Sequence, residues 1–229
     1  MLNRLLRHLL PERLHKAARD GDLSRMRNHI AAGWDVNAAD KQGATPLFHT
    51  ANKGMVEAAK LLLDSGADVN HRAARGGMPL HSALLGQHAD LAFFLMDNGA
   101  DIHGATDPGV TPLHVAVLGG LEAVADRLIR EGADVNAVTA SGQSVLMFAL
   151  LGLNAGKTDD PACLRMLLAT GADPETGSAL AEGIMLFNDE VRELFGEELK
   201  TAAAGPRGEK LRQLVRRLSP DPENEQPQS

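Results

Sequence analysis

One short pattern recurs along the chain at a fixed interval of 33 residues, and it constrains the fold more than any other feature. The first copy reads Gly33-Trp34-Asp35-Val36-Asn37, and later copies begin at Gly66, Gly99 and Gly132. A fifth copy begins at Gly171, 39 residues after the fourth, so six residues are inserted there. A fixed period of this length predicts a stack of small repeated units, each burying its apolar face against its neighbours.

A second string, typified by Thr111-Pro112-Leu113-His114, keeps the same interval and predicts where the first helix of each unit begins. The Thr hydroxyl can accept a hydrogen bond from a free backbone N–H, and Pro is tolerated in the first helical turn. A second helix, with apolar residues spaced by about 3.6, is expected to run on to the next repeated glycine. The break between the two helices is predicted at Gly21, Gly54, Gly86 and Gly120.

Together the two strings resemble those of the ankyrin-repeat family over residues 12–175. The resemblance implies an all-α repeat fold, an α-solenoid of about five helix-turn-helix repeats with short β-turn fingers. The expected repeats are approximately 12–43, 44–76, 77–109, 110–142 and 143–175, the last with the insertion. Outside them we expect an N-terminal capping helix over 1–11, a C-terminal helical cap over 176–219 and a disordered polar tail over 220–229. Within the C-terminal cap, helices are expected over 178–187, 189–203 and 208–218.

The sequence predicts no catalytic residue, metal site or cofactor. His15, His81 and His114 occur once per repeat, and the family resemblance implies that each bonds the adjoining turn. The segment from Gly152 to Thr158 resembles a phosphate-binding loop but has three residues between its glycines where four are needed, so we predict an exposed loop. Cys163 is the single cysteine, which rules out an internal disulfide and fits a reducing compartment. We therefore expect a non-enzymatic protein.

Charge and hydropathy further limit the classes of function that the chain can have. The formal net charge is −7, with a basic first 30 residues and an acidic remainder. An acidic body argues against nucleic-acid binding, which depends on neutralising phosphates. No segment approaches the roughly 20 apolar residues of a membrane span, and no secretion signal is recognised at the start. The expectation is a cytoplasmic protein, monomeric when alone.

The family resemblance also implies where a partner would bind, namely a concave groove lined by the turn tips and one face of each first helix. The residues at these positions are Lys41, Gln42, His49, Asn52, Lys53, Arg75, Ser82, Leu85, Asp107, Val115, Leu118, Phe148 and Leu151. They are polar in the first two repeats and apolar in the last three. This gradient predicts a partner with an apolar patch, anchored on Leu118, Phe148 and Leu151 with Lys41, Lys53 and Arg75 at the rim. The alternative is that the C-terminal helices cover the apolar residues.

The leading functional hypothesis is a protein-binding module that acts as a scaffold, adaptor or inhibitor of another protein. One alternative is an immunity-type protein that neutralises a toxin or an enzyme. Another is nucleic-acid binding through the basic terminal helices, which the acidic body disfavours. The sequence does not identify the partner.

Overall fold

The computed structural model describes residues 12–176 and 189–203, which form a linear stack of five helix pairs followed by one further helix. The first helices of the pairs are α1 (Glu12–Asp20), α3 (Pro46–Asn52), α5 (Pro79–Leu85), α7 (Pro112–Leu118) and α9 (Val145–Asn154). The second helices are α2 (Leu23–Ala31), α4 (Val56–Asp64), α6 (Ala89–Asp97), α8 (Glu122–Arg130) and α10 (Ala162–Thr170). The last helix is α11 (Asp189–Ala203), and a 3₁₀ turn occupies Ala74–Gly76. Within these residues the extended structure is limited to an isolated bridge between Val138 and Ser144, so the predicted all-α repeat fold is confirmed.

The first helices begin as their sequence predicts. The side chain of Thr45 accepts a hydrogen bond from the N–H of Phe48, and Thr111 and Ser144 cap α7 and α9 in the same way. Met78 occupies this position in the third repeat and provides no side-chain cap. The loss of such a cap costs a helix about 1 kcal/mol, which the burial of α5 offsets.

The break between the two helices requires a left-handed residue, and in the third repeat this residue is not a glycine. Gly21, Gly54 and Gly120 have φ values of 67°, 68° and 68°. In the third repeat the left-handed residue is Gln87, with φ 59°, whereas Gly86 has φ −77°. Since α5 ends at Leu85, the break begins at Gly86 as predicted, and its left-handed residue is the next one, Gln87. Gly86 is instead required for packing, because a Cβ there would lie 2.5 Å from the side chain of His88.

The core is aliphatic and runs the length of the stack. Equivalent leucines of successive first helices, Leu47, Leu80 and Leu113, are almost completely buried. The first helices contact one another more extensively than the second helices do. The stack therefore curves toward its first helices, whose outward surface we call the groove face; the outward surface of the second helices is the back face.

The turn tips between successive repeats, which we call fingers, are joined into one row by backbone hydrogen bonds. Ala74 N–H donates to the carbonyl of Gln42 at 2.9 Å, and Asp107 N–H donates to that of Arg75 at 2.9 Å. Ala140 N–H donates to the carbonyl of Pro108 at 2.7 Å. The acceptors are 33 residues apart, so each finger is held in the same relation to the next.

A second set of inter-repeat bonds is made by asparagine side chains. Asn37 donates from Nδ2 to the carbonyl of Gly66 at 3.0 Å and accepts at Oδ1 from the N–H of Asp68 at 2.7 Å. Asn70 makes the corresponding pair of bonds to the next repeat, and Asn136 does so across the insertion. The third copy has His103, for which no such pair of bonds to the following repeat is seen in the described part of the chain.

The C-terminal helix α11 closes the described end of the stack. It packs against α9 and α10, with Phe195 and Leu199 almost completely buried. Arg165 of α10 lies 3.2 Å from the carboxylate of Glu198. The six-residue insertion lies between α9 and α10, where the sequence predicts it. The helices and tail expected over 1–11, 178–187, 208–218 and 220–229 lie outside the described residues.

Candidate functional site

The groove face is bordered on two sides, because each first helix runs from a finger to the break before the second helix. The finger side presents the exposed side chains of Lys41, Gln42, Arg75 and Asp107. The opposite side, at the C-terminal ends of the first helices, presents Asn52 and Lys53, both exposed. These six predicted residues are therefore accessible to a partner.

Two predicted residues in the middle of the groove face are not accessible. Ser82 is 1% exposed and Val115 is 4% exposed. Both lie on the side of the helix that meets the neighbouring first helix, and α5 and α7 pack closely there. Ser82 and Val115 therefore offer much less surface than the sequence suggests, although Val115 lines part of a cleft.

The exposed apolar surface is centred on the third and fourth repeats. Leu85 is 64% exposed, and Leu118, at the same position one repeat later, is half-buried. They line a cleft of about 40 Å³ together with Leu84, Gln87, Val115, Gly119 and Lys157. Lys157 is not among the predicted site residues, and the insertion brings it beside the first helices of two earlier repeats. The insertion itself is the sequence signal that could have identified it.

The predicted apolar anchors of the fifth repeat contribute less surface than expected. Phe148 and Leu151 are half-buried and pack against the core. The ring of Phe148 meets the ring of His114 edge-on, with centroids 4.8 Å apart. The exposed apolar surface therefore comes mainly from Leu85 and Leu118.

Comparison with protein-family models identifies the repeat. A model described as ankyrin repeats in three copies matches residues 14–106, and a model of a single ankyrin repeat matches residues 109–140. The chain belongs to the ankyrin-repeat family. Ankyrin repeats are in general protein–protein interaction modules and are typically non-catalytic. The match ends at residue 140, whereas the structure continues the ankyrin arrangement through α9 and α10.

No curated protein matched this ankyrin-repeat chain in a similarity search. In the described residues, no helix has the length and apolarity to cross a membrane.

Two of the three repeated histidines of the ankyrin stack make the bond to the adjoining turn that the family resemblance implies, and His114 bonds the start of its own helix. Nε2 of His15 lies 3.1 Å from the carbonyl oxygen of Ala44, and Nε2 of His81 lies 3.0 Å from that of Val110. In His114, Nδ1 accepts a hydrogen bond from the N–H of Thr111 at 3.2 Å, so this nitrogen carries no proton. Burial lowers the pKa of His114 to about 4. At neutral pH these histidine side chains therefore serve as buried structural residues of the fold.

His49, expected to line the ankyrin groove, is mostly committed to an internal contact. Its Nε2 lies 2.7 Å from Oδ2 of Asp40, and the two side chains are 18% and 8% exposed. Burial lowers the pKa of His49 despite the opposing effect of the Asp40 carboxylate. The pair ties α3 to the finger that precedes it, and little of His49 remains for a partner.

The residues considered for chemistry are also explained by packing in the ankyrin stack. Gly152 lies within α9, where any Cβ would collide with the carbonyl of Leu118, so the glycine permits close approach of two first helices. Burial raises the pKa of Cys163 to about 11, which keeps it a thiol at neutral pH. Among the described residues, no group of three or more His, Cys, Asp or Glu side chains could hold a metal ion.

Proposed function

We propose that this chain is a non-catalytic binding module that holds a partner protein against its groove face, as a scaffold, adaptor or inhibitor. The observation that carries the proposal is the exposure of Leu85 beside the half-buried Leu118. The fold needs neither side chain in its core, and apolar residues that line a cleft are typical of a surface that a partner covers.

The rigidity of the groove face supports the same function. The fingers are joined by backbone hydrogen bonds, and the first helices pack closely along their length. A preformed surface loses little conformational entropy when a partner binds, which leaves more of the contact energy for affinity. The cleft residues Leu85 and Leu118 are therefore presented by a scaffold that does not need to reorganise.

Affinity capture from the native lysate tests this proposal. The bait is the full chain, compared with a Leu85→Glu/Leu118→Glu variant and a control variant, Ala123→Glu/Ala169→Glu. The control makes the same change in charge at two exposed positions on the back face. Thermal melts followed by circular dichroism establish that all three proteins are folded.

A protein that is captured by the wild type and the back-face variant, but lost with the Leu85/Leu118 variant, supports binding at the groove face. Retention of every captured protein by a folded Leu85/Leu118 variant contradicts it.

A further inference from the structure

The acidic net charge of −7 conceals a separation of charge between the two faces of the stack. Exposed acidic side chains are concentrated on the second helices, at Glu57, Asp64, Asp90, Asp97, Glu122 and Glu131. Several cations of the back face are already paired, and Arg127 lies 2.7 Å from both Asp97 and Glu131. The back face is therefore acidic from α4 to α8, whereas α2 carries the exposed cations Arg25 and Arg27 and no carboxylate.

The groove face is basic over its first two repeats. Its exposed cations are Lys16, Arg19, Lys41, Lys53 and Arg75, and Lys157 joins them from the insertion. Among the described residues, Lys41, Lys53 and Arg75 form no ion pair.

The acidic groups on this side are fewer, and two of them already have partners. Asp40 is bonded to His49, and Asp107 lies 3.8 Å from Arg72. Asp20 and Asp159 are exposed. The cations therefore exceed the available carboxylates on the groove face.

Charge also changes along the groove face from one end to the other. The position before the break in successive first helices is Arg19, Asn52, Leu85, Leu118 and Leu151. The residue at this position is a cation in the first repeat, an amide in the second and leucine in the last three. Lys157 borders the cleft between Leu85 and Leu118.

We propose that the partner contributes an extended acidic segment with apolar residues at one end. This inference rests on the proposed function and specifies its partner. The acidic part lies over the first two repeats, against Lys53 and Arg75, and the apolar residues enter the cleft between Leu85 and Leu118. Charge complementarity selects such a segment over a basic or neutral one, since like charges across an interface are strongly unfavourable.

The dimensions of the stack set the length of the segment. Packed helices lie about 8–10 Å apart, so five first helices span roughly 35–40 Å. An extended chain rises about 3.3 Å per residue, so about 11 residues cover this distance.

A displayed library of random 16-residue peptides, selected on the full chain, tests the inference without knowledge of the natural partner. Selected peptides are expected to be rich in Asp and Glu at one end and in Leu, Phe or Trp at the other. One such peptide is then synthesised with a fluorophore, and its Kd is measured by anisotropy at several salt concentrations. Its affinity should fall as salt rises, because exposed charges are screened.

Two matched charge-reversal variants locate the interaction. Lys53→Glu/Arg75→Glu alters the groove face, and Arg27→Glu/Lys60→Glu makes the same change in net charge on the back face. We expect the groove variant to weaken binding of the synthetic peptide at least tenfold and the back variant to change it less than twofold.

The failures of this inference and of the proposed function are distinguishable. Selected peptides that lack acidic residues, and bind the Lys53/Arg75 variant normally but not Leu85→Glu/Leu118→Glu, overturn the acidic segment and leave groove binding intact. Peptides unaffected by either groove variant contradict both. Failure to select any peptide overturns the inference of a linear segment, while lysate capture still tests the proposed function.

Discussion

Replacing His103 with asparagine should stabilise the stack, because this position lacks a link that three equivalent positions have. Each of the three asparagines makes two bonds to the next repeat, one to the carbonyl of the repeated glycine and one to the N–H of the aspartate two residues after it. They are Asn37, Asn70 and Asn136. His103 is in register with them. In His103→Asn the new side chain would reach the carbonyl of Gly132 and the N–H of Asp134.

The expected gain follows from the geometry of the existing links. Each asparagine makes two bonds, which for Asn70 measure 3.0 Å and 2.7 Å. A hydrogen bond contributes about 0.5–1.5 kcal/mol net, and exposed bonds lie at the lower end. Two bonds, less the entropy of ordering one side chain, should add about 1 kcal/mol to the free energy of unfolding. For a domain of this size, that raises Tm by about 2–4 °C.

The assay is urea and thermal unfolding of the wild type, His103→Asn, His103→Ala and Asn70→His. His103→Ala separates the loss of the imidazole from the gain of the amide and should leave Tm close to that of the wild type. Asn70→His should lower the free energy of unfolding by about 1 kcal/mol. The reasoning is refuted if Asn70→His is destabilising as expected while His103→Asn is no more stable than His103→Ala.

Three further substitutions test other features of the structure. His114→Phe, which copies Phe48 at the same repeat position, should reduce the loss of stability in acid. Because the pKa of His114 is lowered to about 4 in the folded protein, the unfolded chain takes up a proton at this group first as pH falls below 6.5. Through this group the free energy of unfolding of the wild type should fall by about 2 kcal/mol between pH 7.5 and 5. Urea unfolding at both pH values measures the difference, and equal losses in the two proteins would contradict it. Gln87→Gly should raise the free energy of unfolding by up to about 1 kcal/mol, since φ 59° is unfavourable for a residue with a Cβ; a lower Tm would show that the Gln87 side chain contributes more than the strain removes. Arg75→Gly, at φ 63°, should likewise raise Tm but weaken binding of the acidic peptide, and unchanged affinity would remove Arg75 from the binding surface.

The repeat architecture follows from the sequence because the same local signals recur in register. Thr45, Thr111 and Ser144 cap their helices as predicted, since capping depends on residues three positions away. The break after α5 begins at Gly86 as predicted, but the pattern of glycines gives no sign that its left-handed residue is Gln87. Position 86 requires glycine because the side chain of His88 packs against it, a contact that only the structure reveals.

The groove face could be predicted as a set of positions but not as a surface. The register gives Ser82 and Val115 the same place in the repeat as Lys16, yet the packing of α5 against α7 buries them and leaves Lys16 exposed. Lys157 reaches the cleft only because the inserted loop folds back, with Thr158 against Gly120. Contacts between residues so far apart in the chain depend on the stack as a whole, which no local pattern encodes.

Crosslinking mass spectrometry of the captured complex tests most directly the claim that the partner lies on the groove face. A lysine-reactive crosslinker can report on Lys41, Lys53 and Lys157 beside the groove and on Lys60, which is exposed on the back face. The account predicts partner crosslinks at Lys41, Lys53 and Lys157, with Lys60 remaining unlinked to the partner. Crosslinks concentrated at Lys60, with the groove lysines unlinked, would contradict it.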